Sequence, residues 1–252
     1  MPDGYTYGDT DLAAERLDLV AGAFEPTTRS FLVRDGVRRS ALALDLGCGP
    51  GNTTRLLAGT LSPARTVGID ASRAFVERAS RSAPEGVTFH EHDVRTVPLP
   101  GAPADLIFCR LLLSHLADPP DVVARWGSQL RVEGLLMLDE MEDITAEEPI
   151  ITRYLDLTRG VVRRTGAELF VGPTLDAMPD PHGLKRVANA IASFTLPEST
   201  AAEIFGMNLS VLTERGEVGP QDELAAELVA LARSGAQTPT TWRVRQLAFT
   251  RS

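Results

Sequence analysis

Cysteine is nearly absent from this sequence: 252 residues hold two, Cys48 and Cys109, far apart and with no second Cys or His at ligand spacing. That excludes a disulfide framework and a structural zinc site, and no metal is expected. Lysine is scarcer still, with Lys185 alone, and beyond the pairs Arg38-Arg39 and Arg163-Arg164 there is no long basic stripe. With a formal net charge of -9, the chain is a poor partner for a phosphate backbone, so no nucleic acid is expected. Long apolar runs are missing too. Leu111 to Leu113 and Leu135 to Leu138 fall far short of the ~20 residues of a membrane helix, and the opening MPDGYTYGDTD lacks a basic and then apolar signal pattern. A cytoplasmic protein with no membrane partner is expected. Aromatic residues are few at 6%, but 43% hydrophobic and 23% charged residues are those of an ordinary folded domain, not of a disordered or collagenous chain.

What is present is an alternation of short apolar runs with amphipathic stretches. The runs ALALDL (41–46), RTVGID (65–70), GVTFHE (86–91), ADLIFCR (104–110) and GLLMLDE (134–140) read as strands. Between them, TTRLLAGTL, SRAFVERASR and DVVARWGSQLR repeat apolar residues at helical spacing, which predicts a parallel sheet covered by helices. A helix over 11–24, capped by Asp11, and a second short helix after Pro26 form an N-terminal leader or lid within 1–40. The cofactor-binding core would then span 41–145. A helical insertion at 146–185, with a Pro- and Gly-rich loop over 172–183, would form an acceptor pocket. Residues 186–252 would close the sheet with an antiparallel strand pair, 186–196 and 240–251, around two helices.

The chemistry is carried by LDLGCGPGN (44–52), a Gly-rich turn between a strand and a helix, where backbone can approach a ligand that any Cβ would exclude. Its glycines, Gly47, Gly49 and Gly51, are spaced G-x-G-x-G, whereas a diphosphate-binding turn has the third glycine one residue later, at the helix N-terminus. A nicotinamide oxidoreductase is therefore disfavoured. Asp70 ends the next strand, where a carboxylate can accept from both ribose hydroxyls.

With the acidic residue Asp45 before those glycines, HEHDVR (90–95) after the third strand and ADLIFCRLLLSHLADP (104–119) at the fourth, the sequence resembles class I S-adenosylmethionine-dependent methyltransferases. The leader YTYGDTDLAAERL, together with GLLMLDEMED and ELFVGP, is similar to bacterial small-molecule methyltransferases of secondary metabolism. The resemblance implies a Rossmann-like methyltransferase fold, mostly parallel with an antiparallel last strand, helices on both faces, N-terminal helices and helical insertions. It implies S-adenosyl-L-methionine as cofactor, released as S-adenosyl-L-homocysteine. Asp45, Gly47, Cys48, Gly49, Gly51, Asp70, Ala71, Asp93, Val94, Cys109 and Arg110 would hold it, Asp93 and the Val94 amide at the adenine, and Tyr7 and Arg16 of the leader would close on its methionine end.

Methyl transfer from a sulfonium requires alignment more than acid-base chemistry, so a base is needed only for acceptors that must lose a proton. His115, expected at the start of the helix after the fourth strand with a pKa suited to neutral pH, is the candidate base. Glu142, from the acidic cluster Asp139, Glu140, Glu142 and Asp143, is the candidate for orienting the acceptor. The sequence thus points to methyl transfer onto a small metabolite, apolar or aromatic and of natural-product type, by a monomer or homodimer. The rival is a protein of the same fold that binds the cofactor and catalyses something else, or serves as a binding module.

Overall fold

A computed structural model describes residues 8–34 and 40–252. Its elements run α1 (Asp11–Leu32), β1 (Leu42–Leu46), α2 (Asn52–Leu61), β2 (Arg65–Asp70), α3 (Arg73–Ser80), β3 (Val87–Glu91), β4 (Ala104–Arg110), a single 3-10 turn (Leu113–His115) and α4 (Pro119–Gly127). They continue with β5 (Leu130–Thr145), α5 (Pro149–Arg164), α6 (Gly172–Ala177), β6 (Leu184–Pro197), α7 (Glu198–Glu214), α8 (Asp222–Ser234) and β7 (Pro239–Arg251). The seven strands form one sheet in the order β3-β2-β1-β4-β5-β7-β6. The first five pair in parallel, and β7 lies antiparallel between β5 and β6. This is the Rossmann-like arrangement expected.

Strand β1 is buried along its whole length, as a central parallel strand covered on both faces must be. One apolar layer, with Phe31, Leu57 and Phe108, lies on the face of α1 and α2, and another, with Leu44, Trp126 and Leu138, on the face of α4. A further apolar cluster, including Ile151, Tyr154, Phe205 and Leu228, joins α5, α7 and α8. None of the described helices is long and apolar enough to cross a membrane.

Three local expectations are corrected. The leader is one helix, not two: Pro26 lies inside α1, whose residues on either side, Phe24 and Thr28, are buried. Packing on both sides of the proline overrides the loss of one backbone hydrogen bond. Its N-cap is Thr10, whose hydroxyl accepts from the Ala13 amide at 3.3 Å, rather than Asp11. And β5 runs on to Thr145, because β7 supplies an antiparallel ladder as far as Thr145.

Candidate active site

The carboxyl edge of the parallel strands gathers the motifs. Beyond Leu46 the chain turns through Gly47, Gly49 and Gly51, all at positive φ, and the amides of Gly47 and Cys48 donate to the Ile69 carbonyl at 2.8 and 3.1 Å. Gly51, at φ 89, also borders the Phe89 ring, which would lie 2.8 Å from an added Cβ. Asp70 clamps the turn from β2. Its Oδ2 accepts the Gly49 amide and its Oδ1 the Ser72 amide, both at 2.8 Å, while burial pushes its carboxyl above the ordinary range. Ala71 beside it is exposed.

Asp93 follows β3 and is held by Arg95, whose backbone amide and guanidinium both donate to it, keeping its carboxyl ionised well into acid. Val94 is buried, and its carbonyl accepts the Trp126 indole N–H at 2.8 Å, so α4 anchors this loop. Beneath the glycine turn, the buried Asp45 accepts from the Thr54 hydroxyl at 2.6 Å. Desolvation raises its pKa to about 7. Arg110, at the end of β4, donates to Thr28 at 3.3 Å and lies in the field of Asp139 and Asp45. It lines a cleft of about 410 Å³ between α1 and α2, together with Asp18, Gly22, Asn52 and Arg55.

Helix α1 closes over the turn. Leu17 packs against Gly49, Asn52 donates to Asp18 at 2.6 Å, and Ser72 donates to Asp9 at 2.8 Å. Arg16 is buried and hydrogen-bonds Asn208 of α7, and its charge bears on His115. The structure thus brings Arg16 and His115 together around the junction of α1, α7 and the turn after β4. Tyr7 lies outside the described residues.

The two acid-base candidates come out differently from expectation. His115 is in the 3-10 turn rather than a helix, because Pro119 and Pro120 fix the start of α4 further on. It is half-buried, and desolvation first, then the Arg16 charge, lowers its pKa to about 4, so at neutral pH it is uncharged and a weak base. Glu142 is not free to orient an acceptor. The bulge between Met141 and Asp143 accompanies a paired Glu142, whose oxygens take Nε and Nη2 of Arg245 at 2.9 and 2.8 Å.

Sequence reasoning passed over its neighbour Glu140, which is buried and accepts the amides of Leu112 and Leu113 at 2.9 Å each and the Cys109 thiol at 3.4 Å. Cys109 itself is fully buried beneath that turn. The one available signal was a carboxylate continuing an apolar strand.

Residues 43–134 match the family model described as a methyltransferase domain. These residues carry a methyltransferase domain, and the chain resembles the class I S-adenosylmethionine-dependent methyltransferases. It is 32% identical over 176 residues to a trans-aconitate 2-methyltransferase of Methylobacterium radiotolerans, covering 69% of this chain and 62% of that one. To the trans-aconitate 2-methyltransferase of Azoarcus sp. (strain BH72) it is 36% identical over 110 residues, 44% of this chain and 43% of that protein. The chain therefore spans about half the length of the curated relatives it matches. Among solved structures, the 4+2 cyclase SpnF superposes with a TM-score of 0.56 at 17% identity, covering 96% of this chain and 93% of that one, a likeness of fold alone.

Proposed function

We propose that this protein transfers a methyl group from S-adenosylmethionine to a carboxylate of a small organic acid. The observation that carries the donor half is the clamp of Asp70 on Gly49, which fixes a glycine-rich turn beside a carboxylate suited to two ribose hydroxyls. In this reading Gly47, Cys48, Gly49 and Gly51 present backbone to the donor, and Asp70 with Ala71 holds its ribose. Asp93 and the Val94 amide take the adenine, with Asp93 shared between the ring amino group and Arg95. Arg16, Arg110 and Tyr7 serve the amino-acid end, while Asp45 and Cys109 act from beneath. When bound, the donor supplies an already activated methyl group.

The acceptor half rests on His115. A carboxylic acid is deprotonated at neutral pH and needs no base, whereas a phenol or carbon acid does. A half-buried imidazole with its pKa lowered to about 4 is a weak base and so fits the first class. The relatives named for trans-aconitate methylation support the same class. His115 then shapes the pocket wall, while α1 and α7, tied together by Arg16 and Asn208, exclude water. The test is a screen of tritium-labelled donor against small mono-, di- and tricarboxylic acids beside phenols and amines. Base-labile label in a methyl ester supports the reading, and label on phenols alone contradicts it. Gel filtration with light scattering decides between monomer and homodimer, and fractionation of the producing cells tests the cytoplasmic assignment.

A further inference from the structure

Glu140 closes the apolar part of β5 with no exposed side-chain surface. Its Oε1 accepts three donors, the amides of Leu112 and Leu113 and the thiol of Cys109, while its Oε2 is buried with no hydrogen-bond partner among the described residues. A carboxylate kept in such a place needs a reason, since an apolar residue of the same volume would pack there without desolvating an acid. The reason lies in the turn it holds. Leu111 stands at φ 54, a left-handed conformation that a branched side chain rarely adopts, and its amide donates to the Asp139 carbonyl at 3.2 Å. On its other side the turn abuts the glycine motif: an added Cβ at Gly47 would stand 2.8 Å from Leu112 Cδ2. Glu140, Leu112 and Gly47 form a continuous line of contact from the strand end to the donor turn.

We propose that Glu140 is a positioning residue of the donor site: by accepting the two turn amides it sets Leu112 against Gly47, and so sets affinity for the donor. This rests on the donor assignment above. Glu140 touches no reacting atom and acts through the turn. Burial raises its pKa to about 7, and the ionisable groups that bear on it are Cys109 from β4 and Asp139 from its own strand. Ionisation near neutrality strengthens both amide hydrogen bonds, because a carboxylate accepts more strongly than its acid.

The experiment is calorimetric titration of the full chain with S-adenosylhomocysteine, using wild type, E140Q and E140L, each checked for folding by circular dichroism. Glutamine keeps an acceptor oxygen and leucine keeps only volume. The expected result is affinity within about threefold of wild type for E140Q and a loss of roughly tenfold or more for E140L. Wild-type affinity should also rise between about pH 6 and about pH 8 more steeply than that of E140Q, which keeps only the titration of Asp45. Equal affinity of E140L and wild type overturns the proposal, as does an E140Q loss as large as that of E140L. Should E140L fail to fold, the pH comparison decides: parallel profiles for wild type and E140Q overturn the proposal, and a shallower profile in E140Q supports it. Absence of binding by wild type overturns the donor assignment and the proposal with it.

Discussion

Asp70 Oδ2 accepts the amide of Gly49 at 2.8 Å across 21 residues of sequence, joining the two motifs that would hold the donor. In the proposed reading one carboxylate both shapes the glycine turn and holds the ribose. Asp70→Ala should therefore weaken S-adenosylhomocysteine binding by roughly tenfold to a hundredfold, the worth of one or two charge-assisted hydrogen bonds. Calorimetric titration of folded variant and wild type checks it. Unchanged affinity would remove Asp70 from the site.

Gly51 combines φ 89 with a neighbour 2.8 Å from where a Cβ would stand. Gly51→Ala should destabilise the fold by about 1 to 3 kcal/mol, through left-handed strain and displacement of Phe89. The urea midpoint reports it. A smaller effect in the double variant with Phe89→Leu would show that the ring is the obstacle.

Stability should also carry the signature of His115. Its native pKa, about 4, lies below the unfolded value of 6.5, so between these the unfolded chain binds the extra proton. The contribution of the neutral imidazole is complete above pH 6.5 and is lost as pH falls toward 4, worth at most about 3 kcal/mol. Asp45 and Glu140, with pKa values raised to about 7, work in the opposite direction, binding a proton in the native state and lowering stability as pH rises through that range. Comparing wild type with His115→Gln isolates the histidine. The difference in unfolding free energy should grow from pH 4 to pH 6.5 and level off above it.

Thr28, fully buried in α1, donates to Asp139 Oδ2 at 2.7 Å and accepts from Arg110 at 3.3 Å, while Gln246 donates to Asp139 Oδ1 at 3.2 Å. This polar key seats α1 on the sheet. Thr28→Val keeps the shape and removes the hydroxyl, and should cost about 1 to 3 kcal/mol because Asp139 and Arg110 each lose a partner. Chemical denaturation measures it, and a neutral result would mean that apolar packing alone holds the helix.

The parts of the molecule legible in the sequence are those fixed over short distances. Strand β2 falls on residues 65–70 as read, and the Gly47 to Gly51 turn sits at the strand end as expected, because apolar runs and glycine spacing are local signals. Glu140 meets Leu112 across 28 residues, and Arg16 meets Asn208 across 192, contacts that only the assembled sheet and helices create. Glu142 misled for the same reason: its partner Arg245 lies 103 residues away, so from sequence it looked free. The continuity of α1 through Pro26 was hidden because tertiary packing, not propensity, decides it.

The most direct test of the account is transfer of labelled methyl from S-adenosylmethionine to trans-aconitate and related small carboxylic acids by the purified chain. Time-dependent formation of a base-labile methyl ester and stoichiometric S-adenosylhomocysteine is expected, both strongly reduced by Asp70→Ala. Tight donor binding with no methyl delivered to any carboxylic acid would contradict it.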